Sequence, residues 1–159
     1  NKDNYFLMED YKRFKDVKTL EEYGFNVSIG EIVWNQKKVL LTEDKKYNKL
    51  IYSTNIKYNS LDLSNSRGKN QHIKYDKVKY DNCIVFPRTV SKKIKFYYVK
   101  NNKDMIFENH VLVLTNNNKE LLDKFYLNLI NGLYDKMLGS FFNSSNLTKS
   151  DLLSLPLDI

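Results

Sequence analysis

The chain has 159 residues, 42% hydrophobic and 14% aromatic, with a formal charge of +7 and a pI near 9.3. That composition supports one globular domain with a true core and excludes a disordered tail. No apolar run approaches the roughly 20 residues of a membrane helix, and a single cysteine, Cys83, excludes an internal disulfide.

In chain order, Tyr11, Phe14, Val17, Leu20 and Tyr23 fall at helical spacing, so a helix is predicted over 8–23, with Gly24 as its stop. Residues 25–30 alternate apolar and polar, as a half-buried strand does. Ile32-Val33-Trp34 and Val39-Leu40-Leu41 read as strands flanking a polar segment, Asn35-Gln36-Lys37-Lys38, in a hairpin or as a loop between neighbouring strands. A strand is expected over 49–56, ending in the turn chemistry of Ser53-Thr54-Asn55. Residues 64–72 contain no apolar side chain and read as an exposed loop. Strands are predicted at 82–86, 94–99 and 111–114.

The last part reads as helical. Leu121, Leu122, Phe125, Leu129 and Leu133 form an apolar stripe, with Asn118 as N-cap and a break expected at Gly139 or the Asn/Ser cluster that follows it. Thr148-Lys149-Ser150-Asp151 has the form of a capping box and predicts a short helix ending at Pro156. The expected fold class is α+β: a strand-rich mixed sheet over 25–115, an N-terminal helix and C-terminal helices within 118–156, as one domain over 1–159. The start at Asn1, without Met or a signal-like segment, reads as a fragment excised from a larger protein.

The positive charge is concentrated. Residues 67–100 hold ten Lys or Arg against Asp76 and Asp81, a net of +8, which leaves −1 for the remainder. A local field of that sign suits a polyanion. Only three of the 26 basic residues are Arg, and the Lys, Asn, Ile and Tyr bias has the look of an AT-rich bacterial genome. Cys83 sits in an apolar run and reads as a buried thiol, which fits a reducing cytoplasm.

No catalytic or metal-binding motif is present. The chain has no Gly-rich phosphate loop, no paired-Cys metal spacing, no nucleophile elbow, and no Asn-Pro-Pro-Tyr or Asp-Pro-Pro-Tyr run for methylation of an amino group. His72 and His110 are the only histidines, and a Cys83–His110 nucleophile pair would need the two strands to be neighbours. Three polar segments read instead as donors to phosphates and base edges: Asn35, Gln36, Lys37 and Lys38; Arg67, Lys69, Asn70 and Gln71; and Arg88, Thr89, Ser91, Lys92 and Lys93. Tyr75, Tyr80, Phe96, Tyr97 and Tyr98 lie among the basic residues, as base-stacking platforms or as core.

Four blocks, in order, resemble the C-terminal target-recognition domain of adenine-N6 DNA methyltransferases of restriction–modification systems, the so-called TaqI-like specificity domain. They are Val27-Ser28-Ile29-Gly30 with Val33-Trp34-Asn35; Cys83-Ile84-Val85-Phe86-Pro87-Arg88-Thr89; Phe107-Glu108-Asn109-His110; and residues 144–157, with Leu147-Thr148-Lys149-Ser150-Asp151-Leu152 and Leu155-Pro156-Leu157. Gln36 and Lys37 replace an Arg common in relatives after Trp-Asn, and Lys92-Lys93 replaces an Arg-rich run. Lys reads guanine less well than bidentate Arg, so no recognition site carries over. The resemblance implies a non-catalytic domain that grips double-stranded DNA and chooses the site. A separate N-terminal domain of the parent chain would bind S-adenosylmethionine and methylate a flipped adenine. The resemblance gives contacts to Arg88, Thr89, Lys92, Lys93, Asn35 and Lys37, and framework roles to Gly30, Glu108, Asn109 and 155–157. The alternatives are a recognition domain of a type I restriction specificity subunit, and an RNA-binding or protein-interaction module.

Overall fold

A computed structural model describes residues 16–90, 93–135, 137 and 146–159. The fold is α+β, with two four-stranded sheets and, among the described residues, two α-helices. The strands are β1 (Asn26–Ile29), β2 (Leu41–Thr42), β3 (Asn48–Ile51), β4 (His72–Ile73), β5 (Cys83–Pro87), β6 (Tyr97–Val99), β7 (Met105–Phe107) and β8 (Val111–Thr115). The helices are α1 (Lys119–Ile130) and α2 (Lys149–Leu153).

The first sheet has the order β1-β8-β5-β6 and is antiparallel throughout. Its middle strands explain themselves from sequence. β5 and the first four residues of β8 are fully buried, so both faces must be covered. Ile84, Phe86, Leu112 and Leu114 face the helices, packing with Leu122, Phe125 and Leu129 of α1. The alternate residues Cys83, Val85, Val111 and Val113 face Ile51, Ile56 and Phe107 on the other side. Each such side chain contributes about 1.5–3 kcal/mol on burial. The second sheet, β2-β4-β3-β7, is mixed: β3 runs parallel to β7 and antiparallel to β4.

Both helices start as their sequences predict. The Asn118 side chain accepts from the Glu120 N–H, and Thr148 and Asp151 form a reciprocal capping box at 2.9 and 3.1 Å. α1 stops at Ile130, ahead of Gly132 with φ of 72°, and the expected break at Gly139 lies outside the described residues. The closing segment is framework. Leu155, Pro156 and Leu157 are buried, Leu20 N donates to the Leu155 carbonyl at 2.9 Å, and the Tyr134 hydroxyl donates to that of Pro156 at 2.7 Å.

Some elements differ from expectation. Of the helix predicted over 8–23, residues 8–15 lie outside the described residues. Residues 16–23 instead form a bridge, Thr19 to Pro156, and a turn closed by Gly24 with φ of 82°. Leu20 is drawn into the core there, so its apolar spacing reflects burial and not helix. β7 was not foreseen as a strand.

Candidate nucleic-acid interface

Ile32 anchors the first polar turn. Its N–H donates to the Phe107 carbonyl at 3.2 Å, and its own carbonyl accepts from Asn109 N at 2.8 Å. The chain then winds through two 3-10 turns, Trp34–Gln36 and Lys38–Leu40, so of the two expected forms, hairpin or loop, it is not the hairpin that occurs. Residues 35–38 lack the Asn-Gly or Asp-Gly chemistry of a tight hairpin. Local bonds satisfy the backbone instead: Gln36 N to Val33 O and Leu40 N to Lys37 O, both 3.0 Å. Asn35, Gln36 and Lys38 are exposed and Lys37 is half-buried.

The loop over 61–71 folds onto this turn through a buried hub. Asn55 is fully buried and uses both ends of its amide. Its oxygen accepts from Tyr52 N at 2.8 Å and from Gln71 Nε2 at 3.0 Å; its nitrogen donates to Asp62 O at 3.0 Å and Asn65 O at 3.2 Å. Gln71 also donates to the Leu50 carbonyl. Its amide nitrogen is therefore committed inside the protein, which removes it from the base-reading set expected from sequence. The Tyr52 hydroxyl donates to the Asn70 carbonyl at 2.7 Å. Arg67, with φ of 54°, and Gly68, with φ of 76°, form an exposed left-handed corner.

Lys69 closes the join. Its Nζ lies 4.7 Å from the Trp34 ring centroid and 5.1 Å from that of Tyr52, while Lys38 Nζ lies 4.4 Å from Trp34. Each such contact contributes about 0.5–1 kcal/mol at an exposed site. Its effect on geometry matters more. Two mobile ammonium groups from segments 31 residues apart are held over one indole.

The elbow after β7 adjoins the same group. Glu108 N donates to Ile51 O at 3.0 Å, and Glu108 is 2% exposed. Its carboxylate takes both the His110 N–H at 3.2 Å and His110 Nδ1 at 2.6 Å. Burial, together with the Glu108 charge, pushes the Tyr52 phenol up to about 12. Arg88, at the end of β5, donates its N–H to the His110 carbonyl at 3.3 Å. Arg88 is half-buried and Thr89 exposed; Ser91 and Lys92 lie outside the described residues.

Lys93 belongs to a separate aromatic group, 4.6 Å over Tyr58. There Tyr58 meets Phe96 edge-on, and Tyr98 stacks on Tyr126 at 5.0 Å beneath Lys100. Of the aromatics among the basic residues, Phe96 and Tyr98 are buried, while Tyr75, Tyr80 and Tyr97 are partly buried and pack against the core.

The structure thus brings 35–38 together with 67–71, and ties Arg88 to the elbow. His110 and Tyr52 were not read as interface residues from sequence. The Glu-x-His spacing was the available signal for His110, whereas nothing local marks Tyr52. A Cys83–His110 pair does not form: Ile84 pairs with Leu114 and Pro87 with Val111, so the two residues sit at opposite ends of the ladder. Burial pushes the Cys83 thiol up, with the Glu31 and Asp81 charges adding to it. Among the described residues, no three His, Cys, Asp or Glu gather to hold a metal, and no helix is long and apolar enough to cross a membrane. No protein-family model and no curated protein sequence matches the chain.

Proposed function

We propose that this chain is the DNA-recognition domain of a bacterial, cytoplasmic restriction–modification adenine-N6 methyltransferase. The observation that carries the reading is the convergence of the 35–38 turn and the 67–71 loop on Trp34, with Lys38 and Lys69 held over its ring. Asn35 and Gln36 stand exposed on that turn and Arg67 on that loop. Ammonium groups grip phosphates, and amides and guanidinium groups read base edges. Positioned donors lose less conformational freedom on binding than mobile ones.

In this reading the chain performs no chemistry. S-adenosylmethionine binds a separate N-terminal methyltransferase domain of the parent, and the recognition domain sets which adenine reaches it. An endonuclease fused to the same parent is compatible with this role.

The test is fluorescence anisotropy with a randomised duplex pool at low and near-physiological salt, with single-stranded RNA as competitor. The expected result is binding that weakens with salt and resists RNA. Joint replacement Lys38→Ala with Lys69→Ala should flatten the salt slope by about 1.8, at roughly 0.9 for each lost phosphate contact. Displacement by RNA supports an RNA-binding module instead. Absence of salt-dependent duplex binding by the folded chain sinks the proposal.

A further inference from the structure

The elbow after β7 carries a group outside the three basic segments. We infer that His110 is a phosphate-contacting residue of the interface, aimed by the buried carboxylate of Glu108. The inference rests on the duplex-recognition reading above and assigns it a further contact.

Glu108 is 2% exposed, and a buried carboxylate without partners is costly. Both of its oxygens are answered by one residue: Oε1 by His110 Nδ1 at 2.6 Å, and Oε2 by the His110 backbone N–H at 3.2 Å. A carboxylate accepts and does not donate, so the bond places a hydrogen on Nδ1. This fixes the tautomer and the ring direction, as carboxylate–histidine pairs do in metal sites. The Glu108 side chain is 3% exposed and that of His110 65%. The ring therefore stands in solvent on a buried post, with Nε2 on its outer side.

A ring in this state has two behaviours. Neutral, its outer nitrogen offers a lone pair, which repels a phosphate oxygen. Protonated, it offers a second N–H and a full charge, a strong donor to phosphate. Arg88, whose backbone N–H donates to the His110 carbonyl at 3.3 Å, begins the third basic segment, so the elbow adjoins that segment. The ionisable groups on the elements packed against the elbow are Glu31 beyond β1, Tyr52 beyond β3, Arg88 at the end of β5, and Glu108 itself.

The chain has two histidines, which makes the experiment clean. Duplex affinity is measured against salt concentration at pH 6 and pH 8. The wild-type slope should be steeper at pH 6 by up to about 0.9, the value of one added phosphate contact. His110→Asn is the informative variant. Its amide nitrogen replaces Nδ1 on Glu108, while the outer nitrogen is gone. It should bind the duplex with one slope at both pH values. His72→Asn is the control: His72 Nδ1 lies 3.0 Å from the Tyr47 carbonyl, away from the elbow, and this variant should keep the wild-type difference. Should His110→Asn fold poorly by circular dichroism, wild-type NMR decides. The His110 Nε2 resonance should move on duplex addition at pH 6.

Duplex binding with the same slope at both pH values, or a difference that survives His110→Asn, overturns the His110 assignment and leaves the recognition domain standing. Absence of duplex binding at both pH values overturns the recognition reading and this inference together.

Discussion

Gly30 and Glu108 meet backbone to backbone. A Cβ at Gly30 would overlap the Glu108 carbonyl oxygen and lie 2.6 Å from that of Phe107. The Gly30 N–H meanwhile donates to Val111 O at 2.9 Å, so this backbone cannot retreat without losing the bond. Gly30→Ala should therefore cost at least about 2–3 kcal/mol, the range of overpacking in a close-packed interior. Urea denaturation measures it. A loss under 0.5 kcal/mol would mean that the elbow yields easily.

The Asn55 hub sets the loop that carries Lys69. Asn55→Ala strands the Tyr52 N–H and removes one bond from each of the Asp62 and Asn65 carbonyls, which keep the Asn65 N–H and the Thr54 hydroxyl as donors. Unpaired buried groups cost about 1–3 kcal/mol each, less what entering water recovers. We expect a total loss of about 2–4 kcal/mol and faster amide exchange over 61–71, with exchange in β5 less affected. Hydrogen exchange read by mass spectrometry gives both numbers.

Glu31 is a liability at neutral pH. Both carboxylate oxygens are buried and, among the described residues, meet nothing better than the residue's own backbone N–H; burial raises its pKa from the ordinary 4.5, against weaker pulls from that N–H and then from Lys79. The folded state then binds its proton more tightly than the unfolded one. Stability from this group is present below about pH 4.5 and is lost as pH rises through the folded value. Glu31→Gln should raise Tm at pH 7 and leave it little changed at pH 4. Thermal melts across that window provide the check, and a lower Tm at pH 7 would contradict it.

Cys83 should be inert in the folded protein. It is fully buried, and desolvation pushes its thiol up. Only thiolate reacts readily, so iodoacetamide labelling at pH 8 should follow unfolding. The rate should rise steeply through the urea transition. Prompt labelling without denaturant would show an opening that exposes β5.

The parts legible in the sequence are those fixed by local rules. The continuous apolar runs of β5 and β8 announced strands, and Thr148 with Asp151 announced a helix start. Side chain and backbone three residues apart decide a capping box, so four letters suffice. The turn at 35–38 was found as a polar turn, but the hairpin reading of it fails, because the hydrophobicity of Ile32, Trp34, Leu40 and Leu41 serves one small core around Leu50 and Ile73 and not a pairing of two strands. Gln71 looked like a base reader because its type is right for one. Its true partners, Leu50 and Asn55, lie 21 and 16 residues away. The joining of Lys69 to Trp34 likewise depends on tertiary closure that no short window contains.

One consequence of the first sheet concerns the order in which the chain is made. Asn26 pairs with Thr115, and Ile29 with Leu112. At synthesis rates of roughly 5–20 residues per second, β1 leaves the ribosome on the order of five to twenty seconds before its partner exists. Thr19 waits longer still, for Pro156. The early strand is thus an unpaired edge until residues 111–115 have been made, and the slow step in folding lies in bringing these distant strands together.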